Sequence, residues 1–226
     1  MKLQLRMGAI TLGVCVAVLL LVSGAMATPA FTNAGFEAGV STGWDLMNST
    51  NTPGWTINYG SGSNFPRLNL NQSCGGPFGN NNQGCQFATI GATEDGGTSS
   101  LQQTVAGFIP GQTYTLNWLQ SSEFTASDVL NVSFLSGSST ASADFASNPY
   151  PGGSLFWYSW QAFSYNFVAT NGSVTFLFHS YGTNYEPGVD AFSITGGTAT
   201  PEPGTLILLG SGVLGLAGML RRKINR

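Results

Sequence analysis

Tyr114-Thr115-Leu116-Asn117-Trp118 alternates large apolar and polar side chains, so 114, 116 and 118 share one face of an extended chain. Val174, Phe176 and Phe178 repeat the pattern, opposite Thr175 and Leu177. Working outward, Phe31 to Thr195 holds no long apolar stretch of helical period. It offers instead short runs rich in Val, Thr, Phe, Tyr and Trp, broken by Gly, Asn, Ser and Pro. Candidate strands are Trp55–Tyr59, Gln86–Gly91, Ser99–Val105, Tyr114–Ser121, Val129–Leu135, Trp157–Val168, Ser173–His179 and Val189–Thr195. Eight or nine such strands predict an all-β domain, an antiparallel β-sandwich of jelly-roll form.

The connections have their own chemistry. Pro110-Gly111 suits a type II turn with positive φ at the glycine. Asn171-Gly172, between Phe167-Val168 and Val174, is the strongest short-range hairpin signal in the chain. Ser136 to Ser142 (Ser/Gly/Thr-rich) and Ser147 to Ser154 (Pro/Gly-rich) read as exposed loops. No internal repeat is present.

Both ends read as processing segments. Lys2 and Arg6 precede an apolar run from Met7 to Val22, followed by Ala25-Met26-Ala27, the small-x-small pattern of a signal-peptidase site. Residues 1–27 are thus expected to be a signal peptide; an uncleaved N-terminal anchor is the alternative. The β-sandwich is expected over 28–195, a linker over 196–204, and a transmembrane helix with a basic tail over 205–226. Thr205 to Leu220 would span about 24 Å as a helix, short of a ~30 Å hydrocarbon layer by a deficit that local thinning and snorkelling side chains can cover. Arg221, Arg222 and Lys223 after it place the tail in the cytoplasm and the β domain outside.

Between Thr28 and Thr200 the one base, Arg67, stands against nine acids, leaving about −8. Nucleic-acid binding requires a basic footprint and is excluded on this ground. With Cys15 in the signal peptide, Cys74 and Cys85 remain as an even pair in a Gly/Asn-rich stretch, expected to form a disulfide in an exported protein. Zinc is the rival use, though two thiolates and the distant His179 make no recognisable site.

Pro201-Glu202-Pro203, the Gly- and Leu-rich stretch with Gly210, Gly212, Gly215 and Gly218, and Arg221-Arg222 closely resemble a PEP-CTERM sorting signal. The resemblance implies signal peptidase and an exosortase as partners in export. It also implies a transient stay in the inner membrane, then the cell surface or extracellular matrix of a Gram-negative bacterium that makes exopolysaccharide and biofilm. Asn33-Ala34-Gly35-Phe36-Glu37 with Gly43-Trp44 resembles the opening of galactose-binding-like jelly rolls, shared by many carbohydrate-binding modules, and Gly188 to Ile194 looks like their closing strand. That resemblance nominates Glu37 and Asp190 as ligands of a structural calcium, although Val189 or Ala191 stands where one acid of the family's closing pair belongs. The alternative leaves Glu37 and Asp190 as solvated strand-end acids.

Trp157, Tyr158, Trp160, Tyr165, Tyr181 and Tyr185 cluster late in the chain. Flat aromatic platforms recognise sugars, and aromatics also build β cores. Trp157 and Trp160, three apart, face opposite sides of a regular strand, so Trp157, Tyr158 and Trp160 are the candidate ligand contacts. Catalysis is not expected: His179 is the sole histidine, and no motif ties Glu123, Asp128, Asp144 and Glu186 into a glycosidase pair. Two readings stand: a module that binds extracellular polysaccharide, or a non-catalytic structural or adhesion protein of the biofilm matrix.

Overall fold

The computed structural model describes residues 28–39, 44–59, 67–70, 84–91, 99–123, 128–148, 160–180, 186–197 and 212. Eleven strands follow in chain order. They are β1 (Trp44–Leu46), β2 (Thr56–Asn58), β3 (Arg67–Leu70), β4 (Gln86–Thr89), β5 (Ser100–Ala106), β6 (Thr113–Ser121), β7 (Val129–Ser136), β8 (Ser139–Ala146), β9 (Gln161–Val168), β10 (Ser173–Ser180) and β11 (Gly188–Gly196). They form two antiparallel sheets, one of six strands in the order β1-β3-β4-β11-β6-β9 and one of five in the order β2-β5-β10-β7-β8.

Alternation explains why these strands make two layers with one core. On β6, Tyr114, Leu116 and Trp118 are buried, while Thr115 and Asn117 stay half exposed on the outer face. On β10, Val174, Phe176 and Phe178 are wholly buried from the opposite sheet. Between the layers Phe134 stacks on Tyr165 (4.8 Å, 4°) and Phe167 (4.9 Å, 17°), and Trp118 meets Phe145 edge-on at 4.7 Å. Each such buried aromatic contributes on the order of 2 kcal/mol from area alone.

The two turn motifs do something other than close hairpins. Gly111 has φ of 83° and Gln112 N–H donates to Ile109 O (3.2 Å), as a type II turn requires. Yet β5 and β6 lie in different sheets, so the turn is an arch between layers. The hairpin expected at Asn171-Gly172 is corrected in the same way, since β9 pairs with β6 and β10 with β5 and β7. Gly172 O accepts Gly107 N–H (3.0 Å) and Phe108 N–H (3.1 Å), while the Ser136 hydroxyl accepts Thr170 N–H and Asn171 N–H, which fixes the arch. The loop expected at 136–142 is also corrected. Gly137-Ser138 closes a true hairpin, and Ser139–Ala146 pairs along its whole length with β7.

The N-terminal segment 1–27 and the motif residues Pro201, Glu202, Pro203, Arg221, Arg222 and Lys223 lie outside the described residues. Of the expected spanning stretch only Gly212 is described, and its backbone is helical. Among the described residues no helix is long and apolar enough to cross a membrane.

Candidate functional site

The Asn33–Glu37 opening is a wedge between the layers. Asn33 and Phe36 take positive φ (52° and 59°), and Phe36 N–H donates back to Asn33 O at 3.1 Å. The tight loop buries Phe36 completely and aims the Glu37 side chain at the start of β4. There Glu37 Oε1 accepts Cys85 N–H (2.6 Å) and Gln86 N–H (2.8 Å). Gln86 answers with its side-chain amide, donating to Phe36 O (3.0 Å) and Gly39 O (2.9 Å). Gly84 must be glycine: its φ is +131°, and a Cβ there would sit 2.3 Å from Glu37 Oε1. From the other side Phe192 N–H donates to Ala34 O at 3.1 Å, tying the opening to the last strand.

The second nominated calcium ligand, Asp190, is fully buried. Its Oδ1 accepts the N–H of Ala191, whose φ is 54°, at a bulge where the β11–β6 register slips. Asp190 follows Val189, which faces Ala88 on β4, and itself pairs with Leu119 on β6, whereas Glu37 is held at Cys85 and Gln86. Two carboxylates backed by carbonyl oxygens are the donor chemistry calcium accepts. Here Glu37 Oε1 already holds two N–H groups, and among the described residues no three His, Cys, Asp or Glu side chains group as a metal site.

The outer face of the five-stranded sheet carries a groove of about 490 Å³ lined by Gln102, Ser133, Leu135, Thr140, Ser142, Thr175 and Leu177, among others. Register explains its composition. Gln102, Leu177, Ser133 and Ser142 stand in one row across β5, β10, β7 and β8; Thr104, Thr175, Leu135 and Thr140 form the next. A further row holds Ser100, His179, Asn131 and Asp144. Side chains within and between these rows brace one another. Thr104 and Thr175 hydroxyls share a 2.8 Å hydrogen bond, Ser133 donates to Asn131 Oδ1 (2.7 Å), and Asn131 Nδ2 donates to Asp144 Oδ1 (2.6 Å). Burial lowers the pKa of His179, against the nearby Asp144 carboxylate that raises it, so the imidazole is neutral at physiological pH.

Of the aromatic candidates, Trp157, Tyr158, Tyr181 and Tyr185 lie outside the described residues. Trp160 is half-buried and meets Phe87 edge-on at 5.1 Å, on the six-stranded sheet rather than beside the groove. Its Nε1 is buried without a hydrogen-bond partner. Tyr165 belongs to the interlayer stack. Groove residues escaped the sequence reading because they are the ordinary polar half of alternating strands; the usable signal was Leu177 and Leu135 among hydroxyls. Cys85 is described and disulfide-bonded, whereas Cys74 lies outside the described residues.

Glu123, Asp128 and Glu186 gather at one end of the sandwich, all three buried, while Asp144 lies on the exposed β8. Asp128 Oδ2 accepts Glu123 N–H at 2.6 Å, and its buried Oδ1 has no partner. Burial first, and the Glu186 carboxylate with it, push the Asp128 pKa up to about 7, although the Glu123 N–H pulls the other way.

Residues 199–223 match the PEP-CTERM protein-sorting motif, which implies export and membrane-anchored sorting by an exosortase. No curated protein matches the chain. Among solved structures the chain is similar to the carbohydrate-binding module TmCBM61 in complex with β-1,4-galactotriose, at TM-score 0.52 and 14% identity, over 75% of this chain and 99% of that one. It is similar to arabinose-bound MgGH51 α-L-arabinofuranosidase at TM-score 0.50 and 14% identity, over 77% of this chain and 27% of that one. The tandem CBM22 domains of Paenibacillus barcinonensis Xyn10C follow at TM-score 0.47 and 16% identity, over 80% and 48%. At these identities the likeness is one of fold, that of a β-sandwich.

Proposed function

We propose that residues 28–195 are a non-catalytic glycan-binding module, exported through the 1–27 signal peptide, held briefly by the 205–226 helix and delivered to the cell surface or matrix. The observation that carries the reading is the groove. It sets hydroxyls and an amide at strand spacing around an apolar floor of Leu177 and Leu135, the mixture that suits a sugar's hydroxyl rim and C–H face. The fold it shares with TmCBM61, which was solved with β-1,4-galactotriose, supports the reading, and the PEP-CTERM motif supports an extracellular polysaccharide as the class of ligand. A calcium ion held by Glu37 and Asp190 would neutralise charge in a segment with a single base, and so stiffen the seam between the opening wedge and β11.

Titration of the exported chain with exopolysaccharide and β-linked oligosaccharides, in calcium and in chelator, tests both parts. Saturable binding is expected, weakened at least tenfold by Gln102→Ala with Thr175→Val, and a chelator-induced fall in Tm of several degrees. An unchanged affinity in that double variant removes the groove, and an unchanged Tm removes the calcium. Binding lost instead in Trp157→Ala or Tyr158→Ala would move the site to those aromatics. A well-folded chain that binds no glycan would leave the structural or adhesion reading.

We also propose Cys74 as the partner of Cys85. Peptide mapping without reductant is expected to yield one cross-linked species containing both residues; a free thiol at Cys74 would refute the pairing.

A further inference from the structure

We propose that the end of the sandwich built from its arches is a lipid-facing surface, seated on the membrane while the sorting motif is held there; this rests on 205–226 being the membrane anchor. Strand direction identifies that end. β11 leaves its sheet at Gly196, level with Tyr114 of β6, and beside it Thr113 pairs with Val168 of β9. In the other sheet Ala106 pairs with Ser173, and β7 turns into β8 at Gly137-Ser138. Hydrogen bonds draw these pieces together: Gly111 N–H donates to Ala169 O (2.7 Å), Ala169 N–H to Gln112 O (3.0 Å), and Thr170 N–H to the Ser136 hydroxyl (2.9 Å). The chain stays fixed to this end after β11. Gly197 N–H donates to Thr113 O at 3.2 Å, and Gly197, with φ of +67°, lies so close to Tyr114 that a Cβ would fall 2.0 Å from the ring. The matched sorting motif begins two residues later, at 199.

Reach decides which end comes down. From Gly197 to Pro201 the chain covers at most about 14 Å. Along β11, Gly196 to Gly188 is roughly 26 Å. For the opposite end to touch lipid, Gly197 would stand about that far above the surface. Even drawn straight to Thr205, the linker reaches only about 28 Å, with the sorting motif itself pulled taut.

Charge selects the same end. The segments 106–113, 136–140, 168–173 and 195–200 contain no Asp, Glu, Lys or Arg. Val168 is 54% exposed and Pro110 is exposed beside it in this group of turns, so the end offers neutral and apolar contact. The acids stand elsewhere. Glu123, Asp128 and Glu186 gather at the opposite end, with Asp190 two residues along β11 from Gly188. Asp144 lies five residues up β8 from Ser139, roughly 17 Å from the turn. The Glu37 carboxylate is held by the N–H groups of Cys85 and Gln86. An anionic lipid surface repels acids within about a Debye length, which is about 8 Å at physiological salt. A domain of about −8 therefore meets such a surface at least cost by its arch end. Seated this way the strands stand upright, and the groove opens sideways.

The full chain, reconstituted from detergent into vesicles of phosphatidylethanolamine and phosphatidylglycerol that carry a headgroup nitroxide, tests the seat. A fluorophore is attached through Ser138→Cys or Val168→Cys at the arch end, or through Asn148→Cys just past β8 at the opposite end; all three positions are exposed. The chain with no added cysteine serves as the labelling blank. Quenching at 138 and at 168 is expected to be at least threefold stronger than at 148. Ser138→Glu with Thr113→Glu puts acids on the seat and is expected to lower quenching at 168 at least twofold. Equal quenching at all three positions, stronger quenching at 148, or none at any while the chain stays with the vesicles would overturn the proposal, as would an unchanged signal in the double variant. Release of the chain into the supernatant by an alkaline wash is the separate result that removes the anchor, and the seat with it.

Discussion

Asp128→Asn is expected to make the domain more stable at pH 8 and to remove much of its loss of stability between pH 4 and pH 7. The Asp128 carboxyl is fully buried, takes one N–H from Glu123, and keeps Oδ1 without a partner. Burial and the neighbouring Glu186 raise its pKa from 3.8 to about 7. Between those values the folded domain holds a proton that the unfolded chain has released. Stability conferred by that proton is complete below pH 4 and declines as pH climbs through 7, at up to about 1.4 kcal/mol per pH unit. Across the window the loss is about 4 kcal/mol, a large part of the 5–15 kcal/mol that holds a typical domain together. Asparagine keeps an oxygen for the Glu123 N–H and never ionises. A rise in Tm of about 10 °C at pH 8 corresponds to that energy in a domain of this size. Melting curves of both proteins from pH 4 to pH 8 decide the matter: parallel curves would show that Asp128 is not the group that titrates.

How much of this was legible in the sequence depends on which interaction sets each element. The layered core was legible because β6 and β10 bury every second residue and write that period into the chain. β8 was not, because Ser-Thr-Ala-Ser-Ala-Asp has the composition of a loop, and only pairing with β7 together with Phe145 makes it a strand. Asn171-Gly172 misled for a related reason. Local turn chemistry says that the chain reverses, while the partner of each strand is chosen by distant contacts, here β6 for β9 and β5 with β7 for β10. The candidate groove was the least legible part. Its rows come from four strands separated by up to 75 positions in the chain, from Gln102 to Leu177, and register alone brings them together. The Asn33–Glu37 opening was legible as a motif, but its Glu37 also proves to cap the amides of Cys85 and Gln86, a structural use that composition does not reveal.

Trp55→Ala is expected to cost about 3–5 kcal/mol, at the upper end for a single truncation in a packed core. Trp55 is 5% exposed and lies against four rings: Phe31 (5.6 Å, 9°), Phe36 (5.2 Å, 29°), Phe192 (5.4 Å) and Phe178 (6.0 Å). Those rings come from the opening segment, β10 and β11, so the indole joins the wedge to both sheets. Its Nε1 donates to Asn33 O at 3.0 Å, holding the positive-φ turn that aims Glu37 at β4. Truncation therefore opens a cavity and leaves a buried carbonyl with one fewer donor, two costs that add. The denaturation midpoint should fall sharply while the m-value holds, since the same surface is exposed on unfolding. Trp55→Phe separates the two costs, because it retains most of the ring contacts and loses the hydrogen bond; it should be destabilising by about 1–2 kcal/mol. Amide exchange supplies the local readout. In Trp55→Ala the N–H groups of Phe192, Cys85 and Gln86, all bonded to the opening segment, should lose protection before those of β6 and β10. Equal loss everywhere would mean that Trp55 stabilises the sandwich as a whole and that the opening is not a wedge of its own.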